Sequence, residues 1–192
     1  RVVHQGMACT RCFGALVTGG LRRCTVNPMV GREGELEIRR ATRAKRVVVV
    51  GGGPAGLETA VVAARRGHEV TLFEKELMLG GQVRIAAIPP DKYLIASIVR
   101  WLETEARSVG VDIRRGMRAG VEEVLALRPD AVVIATGGKP LNPGFADSGE
   151  ADLVYAEDVL MGRVESGLNV LIIGGGAVGC ETAHFLAEYG KR

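Results

Sequence analysis

The chain has 192 residues, 47% hydrophobic and 24% charged, with a formal net charge of +3. That length bounds it to one or two domains with room for a substantial core, and the composition excludes disordered and fibrous classes. No apolar run approaches the ~20 residues needed to cross a bilayer. The start, Arg1 to Gly6, lacks the ordered regions of a signal peptide, so a cytoplasmic setting is the expectation. The chain opens without Met and in the middle of a motif, which leads us to expect a longer protein around it.

Cys9, Cys12 and Cys24 cluster near the start, and the fourth cysteine, Cys180, is far away. Clustered cysteines in such a setting more often hold a metal or redox centre than a structural disulfide. Three thiolates are one short of the four usual for an iron-sulfur cluster or a structural zinc. Arg22, Arg23, Arg39, Arg40, Arg43, Lys45 and Arg46 follow as a basic stretch. With few aromatics nearby it reads as a solvated linker rather than a nucleic-acid surface.

Val47 to Val50 is a β-branched run suited to a strand buried on both faces of a parallel sheet. It breaks into Gly51, Gly53 and Gly56, the spacing of a Rossmann-type dinucleotide fingerprint, with Pro54 and Ala55 inside the loop. Gly51 permits the tight turn, Gly53 admits a pyrophosphate to the backbone, and Gly56 lets the next helix pack on the strand. A helix is expected over 54–66 and a strand over 69–73. The strand delivers Glu74 where an acid can hydrogen-bond a ribose hydroxyl.

The loop Lys75 to Gln82 carries paired glycines. Pro89 and Pro90 open a long helix expected over 91–109, striped with Leu94, Ile98 and Leu102 as core packing. A strand is expected at 111–114, a short helix or loop at 122–127, and a second buried strand at 130–134 leading into Ala135, Thr136 and Gly137. The span 139–167, with Pro140 and Pro143, reads as a connection between domains. Val170 to Ile173 is then expected as a further strand running into Gly174, Gly176, Ala177, Val178 and Gly179, which repeat the opening design. Cys180, His68 and His184 read as structural. The acid or arginine that would separate NADH from NADPH is expected beyond Arg192, so the second nucleotide domain is expected to be only begun here.

The order Cys9-Thr10-Arg11-Cys12, Cys24 to Pro28, Gly31 to Glu35 and the Val47 to Glu58 fingerprint resembles the electron-transfer half of a flavoprotein family. That family comprises the 2,4-dienoyl-CoA reductases, enoate reductases and trimethylamine dehydrogenases, which are old-yellow-enzyme-like iron-sulfur flavoproteins. The resemblance implies an α/β, Rossmann-like doubly wound FAD/NAD(P)-binding fold preceded by a short irregular cysteine-containing segment. It divides the chain into a cysteine segment and linker (1–45), the first part of the FAD domain (46–140) and the connection with the start of an NAD(P) domain (141–192).

In the resemblance, FAD lies against Gly51, Gly53, Pro54, Ala55, Gly56, Glu74, Lys75, Gly81, Gln82, Ala135, Thr136 and Gly137. NAD(P)H lies against Gly174, Gly176, Ala177, Val178 and Gly179. Cys9, Cys12 and Cys24 match ligands of the family's 4Fe-4S cluster, whose fourth ligand falls on Gly6 or Gln5, or in the other placement on Ala15 or Leu16; His4 reads as solvated rather than as that ligand, which leaves a three-cysteine cluster, a lost cluster or an empty site.

The partner implied is an N-terminal FMN-binding TIM barrel holding the small-molecule substrate, with no nucleic acid and no membrane. Electrons would run from NAD(P)H through FAD and the cluster to FMN, reducing the C=C bond of an enoate or dienoyl-CoA, with no catalytic side chain in this chain. Two alternatives stand beside that reading: an amine dehydrogenase of the same family, and an ADP- or FAD-binding module without redox activity. No cysteine lies in the stretch just after Gly80-Gly81-Gln82, which argues against a disulfide reductase of the glutathione-reductase type.

Overall fold

A computed structural model describes residues 6–141, 144 and 152–192. The chain divides into two compact units, one of Arg1–Val83 with Leu94–Gly137, the other of Arg84–Tyr93 with Gly138–Arg192.

The first unit begins with a short helix α1 (Arg11–Val17) none of whose residues is buried. Four strands follow, β1 (Arg46–Val50), β2 (Glu69–Glu74), β3 (Asp112–Arg115) and β4 (Ala131–Ile134), all parallel in the order β3-β2-β1-β4. Helix α2 (Pro54–Arg65) connects β1 to β2. After α3 (Gln82–Ala86), α4 (Ser97–Ser108) leads into β3, and α5 (Val121–Ala126) joins β3 to β4. Parallel strands demand such crossovers, and the order reverses direction at β1, which lies between β2 and β4.

The valine run is buried on both faces because alternate side chains meet different layers. Val47 and Val49 pack with Leu57, Ala60, Val61, Leu72, Leu102 and Ala106 beneath α2 and α4. Val48 faces the other way, with Phe73 and with Val124 of α5. The sheet is thus covered on both sides, as the expected doubly wound α/β class requires.

Three sequence expectations are corrected. The helix expected from Asp91 starts later: Asp91 has φ 62°, a 3-10 turn spans Tyr93–Ala96, and α4 begins at Ser97. Asp tolerates the left-handed region, so the chain turns after the two prolines instead of entering a helix directly. The strand read as buried at 130–134 is an edge strand with Val132 and Ile134 exposed. The strand expected at 170–173 does not form, and Leu171 and Ile173 are exposed. A strand needs a laddered neighbour, and among the described residues the backbone bonds here are those of Val170 and Leu168 with Arg192 (2.7 and 2.8 Å).

The second unit carries α6 (Ala156–Leu160) and α7 (Ala177–Glu188). Lys92 Nζ reaches Glu181 Oε1 of α7 at 2.5 Å within that unit. Part of the expected connection, including Pro143, lies outside the described residues.

Between α2 and α4, Arg65 pairs with the buried Glu105. Glu58, partly buried on α2, has its carboxyl held above the ordinary range: removal from water raises it most, Arg65 opposes, and Glu105 adds to the rise. A raised carboxyl favours folding in its protonated form. Its stabilising share is complete below the unfolded pKa and lost as pH climbs through the folded value. Glu58→Gln is therefore expected to stabilise the fold near neutral pH and to be nearly silent below about pH 4. Urea denaturation of both proteins at the two pH values checks the sign.

Candidate nucleotide-binding site

Parallel α/β sheets bind ligands outside the carboxyl ends of their strands, in the crevice where strand order reverses. Here that crevice lies between the ends of β1 and β4, and the first glycine loop fills one side of it. The Gly51 N–H donates to the Phe73 carbonyl (2.8 Å), and the Ala135 N–H donates to Val50, continuing the β4 to β1 ladder past the strand ends. Ala135, Thr136 and Gly137 are thereby laid beside Gly51.

The glycines divide by what requires them. Gly51 has φ 112°, and a Cβ there would collide with the Ala135 carbonyl. A Cβ at Gly56 would collide with the Gly51 carbonyl, so α2 meets β1 only because that position is bare. At Gly53 a Cβ would meet nothing within 4 Å. Protein packing therefore does not demand glycine at 53, and the space beside it is open to a ligand. Gly53 is the N-cap of α2, with Pro54 at its first position. The N–H groups of Ala55 and Gly56 lie in the first turn, where no intrahelical acceptor exists, and the helix end carries about half a positive charge.

Glu74 closes the loop from below. It is buried; the Gly52 N–H donates to one carboxylate oxygen (2.7 Å) and the Glu76 N–H to the other (2.9 Å). A carboxylate offers about four acceptor sites, so two backbone donors leave capacity for a hydroxyl. The Gly80 N–H donates to the Gly52 carbonyl (2.8 Å), and Gly81, with φ 50°, would place a Cβ 3.3 Å from Gly53 Cα. The paired-glycine loop thus abuts the fingerprint. Lys75 and Gln82 lie exposed on either flank of that loop.

Gly52 was missed by the sequence reading: it takes the unspecified position of the motif, yet it supplies the N–H that fixes Glu74 and faces Leu79. The run of three glycines was the available signal.

In the second unit the turn repeats. Gly174 has φ 115°, and a Cβ at Gly179 would collide with the Gly174 carbonyl as one at Gly56 would with Gly51. Gly176 caps α7 in the extended conformation that Gly53 adopts at α2, and a Cβ there also meets open space. The likeness runs on: Leu57 N–H bonds the Gly53 carbonyl at 3.0 Å and Cys180 N–H the Gly176 carbonyl at 3.0 Å. Thr59 and Thr182 each return a hydroxyl bond of 2.7 Å to Ala55 and Val178. Gly174, Gly176, Ala177, Val178 and Gly179 therefore form a second copy of the first loop, even without a formed strand before it.

The three clustered cysteines are arranged differently. Cys9 and Cys12 are exposed, Cys24 is half-buried, and all are free thiols. The Cys9 sulfur lies 3.3 Å from the Thr25 hydroxyl, and hydrogen bonds donated to its thiolate, by that hydroxyl first and then by the Arg11 backbone, hold the thiol below its ordinary pKa. Among the described residues no group of three His, Cys, Asp or Glu side chains is gathered so as to hold a metal ion. The donor set thus does not fit a metal cluster as placed. His4 and Gln5 lie outside the described residues.

The family profile described as pyridine nucleotide-disulphide oxidoreductase matches residues 45–192. The chain belongs to that family. It is 49% identical over 187 residues to the NADH oxidase of Thermoanaerobacter brockii, which covers 94% of this chain and 29% of that protein. It is 44% identical over 181 residues to the cinnamate reductase of Clostridium sporogenes, covering 94% of this chain and 27% of that one. Among solved structures, 2-naphthoyl-CoA reductase in complex with 2-naphthoyl-CoA aligns over 97% of this chain and 29% of its own, with TM-score 0.90 and 36% identity. The resemblance to old-yellow-enzyme-like flavoproteins is borne out.

The chain spans under a third of the length of these relatives. The FAD/NAD(P)-binding class of the fold and an oxidoreductase role follow from the family match. The family's name speaks of disulphide, but no cysteine lies between Cys24 and Cys180, so the nucleotide loops here have no redox pair beside them. Among the described residues no helix is long and apolar enough to cross a membrane.

Proposed function

We propose that this chain is the hydride-entry module of a flavin-dependent reductase, with FAD on the first glycine loop and NAD(P)H on the second. The observation that carries the reading is the identity of the two turns, each with an open N-cap glycine at a helix start where a pyrophosphate can lie. FAD, when bound, supplies the capacity to take two electrons together and release them singly. The residues of this chain bind and orient. Gly53, Ala55 and Gly56 present N–H groups to the phosphates, Glu74 accepts from the ribose, and Gly81 with Thr136 leaves room for the flavin. Gly176, Ala177 and Val178 do the same for the pyridine nucleotide.

In the whole protein, electrons leave for an FMN-bearing TIM barrel outside this chain, where an activated C=C bond of an unsaturated acid or its CoA thioester is reduced. The names of the relatives, cinnamate reductase and 2-naphthoyl-CoA reductase, support that substrate class. Cys9, Cys12 and Cys24 would hold a 4Fe-4S cluster in the full-length protein, although among the described residues these thiols are not gathered as ligands.

Anaerobic addition of NADH or NADPH to the full-length flavoprotein tests the reading. Rapid loss of the oxidised flavin absorbance is the expected result. Bleaching by an amine but by neither pyridine nucleotide would establish an amine dehydrogenase instead, and a colourless protein carrying only ADP would establish a binding module. An iron determination on the same sample decides the cluster.

A further inference from the structure

The opposite end of the first unit's sheet carries a feature that the nucleotide loops do not use. Lys45 immediately precedes β1 and His68 immediately precedes β2, so both stand at the amino ends of the strands. They and Arg40, Thr42, Arg43 and Arg66 line a groove of about 350 Å³. β1 alone separates this end from Gly51 by roughly 15 Å.

Every side chain with polar atoms in that lining is a donor. Arg40, Arg43, Lys45 and Arg66 make no ion pair among the described residues. His68 Nδ1 accepts from the Lys45 N–H (3.2 Å), so a neutral ring carries its hydrogen on Nε2 and offers that as a donor.

The backbone is already satisfied: the Ala41 N–H takes the Arg66 carbonyl (2.9 Å) and the Glu69 N–H takes the Lys45 carbonyl (2.9 Å). The nearby carboxylate, Asp130, is engaged by the Arg46 N–H (2.7 Å). That bond chiefly holds its carboxyl below the usual range, with Arg46, Arg43 and Lys45 adding to the effect. The carboxyl end of α2 also points here and Asp130 keeps its charge, but about one and a half negative charges are outweighed by the four positive ones of Arg40, Arg43, Lys45 and Arg66.

We propose that this groove is a second anion site, separate from the FAD crevice, for a small phosphate-bearing molecule with two or more phosphate charges. A set dominated by cationic donors suits an oxyanion with many acceptors, since guanidinium groups meet phosphate oxygens in pairs. The volume matches a small molecule rather than an extended acidic chain.

Titration calorimetry with inorganic pyrophosphate on the full-length protein, saturated with FAD and NAD⁺ so that both glycine loops are filled, tests the site. Saturable binding that weakens as salt is raised is expected. Affinity should fall by about tenfold or more in the R43Q/R66Q double variant, with flavin content and melting temperature unchanged. K45Q, a single exposed substitution, is the second variant should the double one lose its flavin, and it is expected to weaken binding several-fold. Absence of saturable binding overturns the proposal, as does unchanged affinity in the variants. Tighter binding of polyglutamate than of pyrophosphate overturns it too, in favour of an acidic protein partner. None of these outcomes depends on whether NAD(P)H reduces the flavin.

Discussion

Gly56→Ala is expected to cost about 3 kcal/mol of stability or more and to yield protein without FAD. One methyl group is added, but it lands on the Gly51 carbonyl, with the Ala135 Cβ also only 3.4 Å away. Neither neighbour is the movable end of a long side chain. Relief requires α2 to lift from β1, and with it Leu57, Ala60 and Val61, three residues at the centre of the core.

The matching substitution, Gly179→Ala, makes the same collision with Gly174 in the second unit. There the expected outcome is selective: flavin retained at wild-type stoichiometry, reduction by NAD(P)H lost. Urea unfolding, the flavin-to-protein absorbance ratio and anaerobic reduction separate the two. Equal flavin loss in both variants would contradict the assignment of one nucleotide to each loop.

Glu74→Ala is the second large effect. It removes the acceptor of two buried or half-buried N–H groups and leaves Gly52 and Glu76 unsatisfied, at a cost of about 2–4 kcal/mol. FAD retention is expected to weaken by at least about tenfold, since the loop loses its brace and the ribose its acceptor. Glu74→Gln keeps one carbonyl acceptor but turns an amide donor toward the other N–H, so roughly half the loss is expected. Unfolding curves and gel filtration with flavin detection read both variants. A Gln variant with wild-type stability and flavin content would show that the charge on Glu74 is idle.

The first βαβ unit was legible because its signals are local. Valine branching, the glycine spacing, the arginine-to-glycine end of α2 and the acid at the end of β2 all lie within thirty residues, and each owes its meaning to its neighbours in sequence. The failures share a cause as well. Val170 to Ile173 has the composition of a strand, but strand formation is a property of pairs, and composition says nothing about whether a partner lies alongside. Exposure of Val132 and Ile134 has the same origin, because burial of an edge strand is decided by what lies beyond it.

The Arg65, Glu105 and Glu58 network escaped because helical partners forty residues apart leave no pattern in either helix. Gly52 escaped because the motif leaves its position open. The cysteines were read by count and spacing, and neither fixes where the thiols sit.

The bare margin of β4 also governs how a polypeptide of these residues would behave when handled alone. An edge that no other strand pairs among the described residues, carrying the exposed Val132 and Ile134 and no lysine or proline within β4, is a template for a second molecule. The expected practical result is clouding at high concentration and poor yield from refolding, relieved by a charged replacement such as Ile134→Lys rather than by a change of buffer salt.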